Sequence, residues 1–298
     1  MKHHNRIALS RPDRIFTAVN TLFLSLVLVI IAYPLLIIVS SSFSDAQAVM
    51  SGKVWLLPVG FNLNGYAAVF RNQQILTGFL NTFLYTVCGT LLAVFLTIMA
   101  AYPLSRKDFY GRGVFMAIFT FTMLFGGGLI PSYLLNRSLG FVDSRLSLIV
   151  LGSMSVYNVI IARTFFQSTI PSELLEAAQI DGCDDFRFIV KILLPLSTTI
   201  IAVLALFYAV GYWNSYYTAI IYIRSPEKLP LQIVLRNILI MSQMADMMED
   251  VSLSMRFQGM QDLIKYAVIV VSSAPILAFY PFIQKYFVKG VMIGSLKG

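Results

Sequence analysis

Six stretches of this chain, 15–44, 72–105, 113–136, 146–162, 192–223 and 266–284, contain no Asp, Glu, Lys or Arg. A helix needs about 20 predominantly apolar residues, within a range of roughly 17–25, to cross the hydrocarbon of a bilayer. Every window reaches that length, 146–162 only just. The windows predict six transmembrane helices near 16–39, 79–103, 114–135, 146–163, 197–222 and 265–285. A seventh window, 54–70, is interrupted by Pro58, Gly60, Asn62, Asn64 and Gly65, breakers that read as a loop or re-entrant piece. Composition agrees: 12% of the residues are charged, against about 25% in soluble domains, and the mean hydropathy is +0.77. The expected fold class is therefore all-α, a polytopic membrane protein with six transmembrane helices. The first apolar run outgrows the roughly 7–15-residue core of a signal peptide. Ser40, Ser41, Ser42 and Ser44 follow it, but on its length it is read as a retained helix.

Orientation follows from the basic residues. With the N-terminus inside, thirteen Lys and Arg fall on the inner side and nine on the outer. Short loops flanking spans dominate the rule, and the inner loop 104–113 holds Arg106, Lys107 and Arg112, whereas the long outer loop 40–78 holds only Lys53 and Arg71. The expectation is a multi-pass protein of the cell (cytoplasmic) membrane with both termini in the cytoplasm. The net charge of +8 then borders the inner leaflet, and nucleic acid is not an expected partner.

No charged residue lies at the centre of a predicted span, which removes the usual material of proton relays and voltage sensors. No phosphate loop of the form GxxxxGK[ST], no HExxH and no GxSxG occurs. The two histidines, His3 and His4, sit together at the terminus, and the two cysteines, Cys88 and Cys183, lie far apart. Neither catalytic residues, nor a metal site, nor a cofactor is expected.

Between the fourth and fifth predicted spans lies 164–195, which reads as two short helices. Ser172 is placed to cap the first, with Glu173 in its first turn where the helix dipole favours a carboxylate. Gly182 is placed to end it in a left-handed conformation. Asp184 or Asp185 then caps a second helix through Phe186, Ile189, Val190 and Leu193 toward Pro195, the entry to span five. Leu174, Ala177, Ala178 and Asp181 fall near one side of the first helix, where small alanines admit another surface close to the backbone. The pattern describes a knob fitted to a socket on a soluble partner.

Glu176-Ala177-Ala178, three residues, Gly182, nine residues, then Ile192-x-Leu194-Pro195 resembles the EAA motif of ABC-importer permeases in spacing and identity. The resemblance implies a type I importer permease fold. It implies that Glu176, Ala177, Ala178, Asp181, Gly182, Ile192, Leu194 and Pro195 form a coupling loop docked in a cleft of a separate ATPase subunit. ATP binding would draw two such subunits together and rock the helix bundle between inward- and outward-facing states. Tyr212-Trp213-Asn214 is similar to the W-N stretch of the carbohydrate branch of these importers. The tail from Lys289 to Gly298 is similar to the branch's G-x-x-x-G-x-x-K-G ending, which implies contact of Gly290, Gly294, Lys297 and Gly298 with the ATPase. Among that branch the chain resembles the second maltose permease. Phe125-Gly126-Gly127-Gly128-Leu129-Ile130-Pro131 resembles permeases for complex or acidic oligosaccharides, alginate-type systems included.

On their own chemistry, Gly126, Gly127 and Gly128 break span three, either to line a cavity or to serve packing. Tyr212, Trp213, Asn214, Tyr216 and Tyr217 join aromatic faces to polar tips, which suits a sugar path and equally suits interfacial anchoring. Pro275 and Pro281 are expected to bend span six. Met241, Met244, Met247, Met248, Met255 and Met260 in the outer segment 224–264 suit either an adaptable contact with an external partner or a helix on the membrane surface. The expected organisation is 1–75 for the N-terminus, first span and first outer loop, 76–285 for the transport core, and 286–298 for the tail. The resemblance implies four kinds of partner: an ATPase pair, a second and paralogous permease, an extracytoplasmic sugar-binding protein, and the bilayer. An importer for amino acids or phosphate, and a Na⁺-coupled carrier with no ATPase, remain open at this point.

Overall fold

The computed structural model describes residues 10–246 and 262–281, and every regular element among them is a helix. Three of these helices are long and apolar enough to cross a membrane: α1 (Arg11–Ser42), α4 (Gln73–Ser105) and a third at Asp262–Pro281. The count becomes five when two sharply bent helix pairs are each taken as one span.

The chain falls into two compact units, residues 1–71 with 238–271 and residues 72–237 with 272–298. In the first unit α1 opens with a capping box: Ser10 Oγ accepts from Asp13 N, and the Asp13 carboxylate accepts from Ser10 N, each at 3.3 Å. The helix then stays exposed until Ser40–Ser42, as a lipid-facing helix should. The loop that follows is strapped to its end. Ser40 Oγ donates to Leu56 O (2.6 Å), Val59 N donates to Ser44 Oγ (3.0 Å), and Phe43 stacks on Tyr66 at 5.0 Å. Two short helices, α2 (Ala46–Met50) and α3 (Asn64–Arg71), flank this loop, so 54–70 does not span.

The second unit is built around α4. The same unit holds α5 (Arg112–Leu124), α6 (Leu129–Ser138), α7 (Arg145–Val150), α8 (Val156–Thr169), α9 (Ser172–Ile180), α10 (Asp185–Phe188), α11 (Leu194–Leu196), α12 (Thr198–Trp213), α13 (Tyr217–Tyr222) and the start of α14 (Leu231–Asp246). Small residues on α4, Gly89, Ala93 and Ala101, let α8 and α12 come close, as helices in lipid generally require. Ala93, Ala101, Val159, Ala162, Phe166, Leu193 and Leu204 form the buried core there. At the Gln73 end, Asn81 Nδ2 donates to Glu227 O (2.8 Å) and Leu229 O (3.0 Å), Tyr85 Oη donates to Lys228 O (2.9 Å), and Leu231 N donates to Thr82 Oγ1 (2.8 Å). Beside them Asp143 accepts from the Ser225 hydroxyl, from the Ser225 and Arg224 amides and from Lys228 Nζ. These donors hold its carboxyl well below the usual carboxylate range.

Three predicted spans differ from the folded chain. Span three, 114–135, is α5 and α6, bent by 111° through 125–128. The break itself is the one the glycines imply, with Gly128 at φ +81°, a conformation open to glycine. Span four, 146–163, is α7 and α8 with a turn at 151–155. Ser155 N donates a hydrogen bond to Tyr208 Oη at 3.1 Å, and Tyr212 Oη donates to the Ile149 carbonyl at 2.7 Å. Side chains of α12 thus take backbone groups that a continuous helix would have used. Span five, 197–222, stops at Trp213 and resumes at Tyr217.

Candidate functional site

Residues 164–195 contain the expected helical hairpin, although 164–169 are the last residues of α8. The first arm is α9, and its end is a Schellman turn: Cys183 N donates to Ala178 O (2.9 Å) and Gly182 N to Gln179 O (3.0 Å), with Gly182 at φ +73°. Asp184 caps the second arm, its side chain accepting from Arg187 N at 2.7 Å. That arm runs through α10, a π-helical turn at Ile189–Leu193, and α11. Two expectations are corrected. Pro171, in extended backbone with no side-chain cap bond, holds the N-cap position, and Ser172 is already helical. Pro195 does not open span five. It lies inside the second arm, which ends at Leu196 and meets α12 at 84°. A proline without an N–H cannot close the ordinary bond of the turn behind it, and the wider π turn directly precedes it.

The hairpin has a packed back and an open front. Ala178, Phe188, Ile189 and Leu193 are buried, with Leu174, Ile192 and Leu194 packed against the same core. Glu176, Ala177, Asp181, Gly182 and Pro195 are exposed. The expected grouping of Leu174, Ala177, Ala178 and Asp181 on one side is thus divided, Leu174 and Ala178 facing in. Beyond them Ile180 and Phe186 stand 87% and 72% exposed. A cavity of about 940 Å³ lies between the hairpin and the 105–112 loop, lined among others by Arg106, Arg112, Arg163, Glu173, Glu176 and Gln179.

Arg106, read from the sequence only as an orienting charge, is the centre of a bonded cluster at the Ser105 end of α4. Its Nε donates to Asp108 Oδ1 (2.9 Å), and its Nη1 donates to both Tyr102 Oη (2.8 Å) and Asp185 Oδ1 (2.9 Å). The Asp108 carboxylate, more than any other group, raises the guanidinium's already high pKa. Arg106 in turn lowers that of Asp108. The spacing Arg106-x-Asp108 is a local signal of such a fork, but the partner 79 residues along the chain leaves none.

The five residues proposed for a sugar path part company. Tyr212 and Trp213 are buried within the chain, with Trp213 Nε1 donating to Ser272 O (3.0 Å) and its ring meeting Phe79 edge-on at 5.6 Å. Their polar tips are already occupied. Asn214, Tyr216 and Tyr217 stay exposed, Tyr216 beneath the guanidinium of Arg236 at 5.9 Å. The tail residues Gly290, Gly294, Lys297 and Gly298, and Met247, Met248, Met255 and Met260, lie outside the described residues. Among the described residues no group of His, Cys, Asp or Glu could hold a metal ion.

Residues 89–293, a stretch that includes the whole hairpin, match the family of binding-protein-dependent transport system inner membrane components. The chain belongs to that family. As a member of it, the protein is a multi-pass membrane permease, all-helical as its elements require. The polygalacturonan/rhamnogalacturonan transport system permease protein YtcP of Bacillus subtilis (strain 168) is 43% identical, over 96% of this chain and 99% of its own. The protein LplC of the same organism is 40% identical, over 97% of each. One chain from the crystal structure of a bacterial ABC transporter involved in the import of the acidic polysaccharide alginate superposes with a TM-score of 0.85. It is 33% identical and covers 94% of this chain and 99% of that one. The permease fold implied by the hairpin motif is therefore the fold observed.

Proposed function

We propose that this protein is the permease subunit of an ATP-driven importer of acidic oligosaccharides, and that it meets its ATPase through the 164–195 hairpin. The observation that carries this reading is the hairpin's front: Glu176, Ala177, Ile180, Asp181 and Phe186 exposed on a knob whose back is packed into the core. Burying a large apolar side chain is worth about 1.5–3 kcal/mol, so Ile180 and Phe186 favour a partner that covers them. The substrate class rests on two relatives named for polygalacturonan/rhamnogalacturonan and alginate transport; galacturonan and alginate are both uronic-acid polymers. A second permease completes the path, with Asn214, Tyr216 and Tyr217 as this chain's contributions to it. An extracytoplasmic binding protein delivers the sugar, the tail residues Gly290, Gly294, Lys297 and Gly298 reach the ATPase pair, and both termini face the cytoplasm.

Two measurements test this. The ATPase should copurify with the wild type and be lost from a Glu176→Ala/Gly182→Asp double variant, in which the left-handed residue alone costs about 1–2 kcal/mol. Retention of the ATPase by that variant would contradict docking through the hairpin. In proteoliposomes with the cognate binding protein, oligogalacturonides or alginate oligosaccharides should stimulate ATP hydrolysis and maltodextrins should not. Stimulation by no glycan would overturn the carbohydrate reading.

A further inference from the structure

We propose that Arg106 is a positioning residue for transport: its guanidinium holds Asp185 of the hairpin's second arm to the end of α4, so that a displacement of the hairpin is delivered to α4. The inference rests on the hairpin being the coupling element and adds the joint through which it acts.

Isolated exposed ion pairs contribute little, and Asp185 on its own would be one, its side chain being 68% exposed. Arg106 is not exposed in that way; its side chain is 13% exposed. Three of its nitrogens are engaged: Nε and Nη2 with the two oxygens of Asp108, and Nη1 with Tyr102 and Asp185. Its guanidinium also sits over the Tyr102 ring, 5.6 Å from the centroid. Tyr102 Oη donates to the same Asp185 oxygen at 3.2 Å, and the Tyr102 ring lies 6.0 Å from that of Phe188, the buried residue of α10. Arg112 Nη1 donates to the Arg106 carbonyl at 3.2 Å, and so fixes the backbone from which the fork projects. A lysine, a single point charge, cannot fill this geometry.

What lies beyond the joint gives it consequence. Along α4 from Tyr102, Thr97 meets Tyr208 of α12 at 2.6 Å. Tyr208 in turn holds Ser155 in the turn between α7 and α8. One guanidinium thus links the hairpin to the helix that carries the unit's core.

The test uses the whole importer in proteoliposomes, with oligogalacturonide as the transported probe, and reads sugar moved per ATP hydrolysed. Arg106→Ala and Asp185→Asn should each lower that ratio by about fivefold, the low end of ordinary coupling between sites, while ATPase copurification is unchanged. Arg106→Lys should fall between them and the wild type. The Arg106→Ala/Asp185→Asn double variant should be no worse than Arg106→Ala alone. Lys107→Gln, a charge change in the same loop, should keep the wild-type ratio. Where Arg106→Ala does not assemble, Asp185→Asn decides, its side chain being mostly exposed. A wild-type ratio in Asp185→Asn, or an equal loss in Lys107→Gln, overturns the proposal. A wild-type importer that neither holds an ATPase nor responds to the loaded binding protein overturns the underlying reading, and this inference with it.

Discussion

Gly89 shows how little room the centre of this protein leaves. A Cβ placed on it would overlap the ring of Tyr212, whose hydroxyl is committed to the Ile149 carbonyl. Gly89→Val should therefore lower stability by about 1–3 kcal/mol, the usual cost of overpacking, seen as an earlier thermal unfolding of the detergent-solubilised protein. Gly113, on α5, has nothing within 4 Å of such an atom. Gly113→Ala should be neutral or stabilising by up to about 1 kcal/mol, since alanine loses less backbone freedom in a helix. Equal melting of the two variants would contradict the close approach of α12 to α4.

Between elements, the polar node of Thr97, Tyr208 and Ser155 ties α4, α12 and the turn after α7. Tyr208→Phe deprives the Ser155 amide and the Thr97 hydroxyl of their partner in an apolar setting, an expected loss of about 1–3 kcal/mol. Thr97→Val added to it should cost less than the two singles together, because both cut the same bond; full additivity would mean the node is not shared. The same node explains what a sequence can and cannot announce. The hairpin was legible because its stops are local: Gly182 supplies a left-handed turn and Asp184 a cap whose donor, Arg187 N, is three residues on. The turn at 151–155 was not, because Tyr208 and Tyr212, more than fifty residues on, take the backbone groups that would have continued the helix. A charge-free window reports that a segment is apolar, and says nothing of such competition. Tyr212 and Trp213 illustrate the same limit, since an aromatic with a polar tip reads alike whether the tip meets a sugar or a carbonyl.

For the molecule as a whole, the basic loop at 104–113 and the hairpin belong on one side of the membrane, because Arg106 bonds Asp185 across them. If that side is the cytoplasm, Cys183, half-buried at the hairpin turn, should react with a membrane-impermeant maleimide in inverted vesicles and not in right-side-out ones. Cys88, exposed within α4, should resist the reagent in both. Labelling of Cys183 from outside would reverse the orientation argued from the basic residues. Another consequence follows from the bend at 125–128. No residue of α5 or α6 is buried, and Gly126 and Gly127 have open space where a side chain would stand. Peptide groups outside a helix can be left beside water or protein but not beside hydrocarbon, where each unsatisfied one costs several kcal/mol. A newly inserted chain is therefore incompletely solvated by lipid at this bend. How long it persists in the membrane depends on how soon another polypeptide, or a column of water, arrives to cover it.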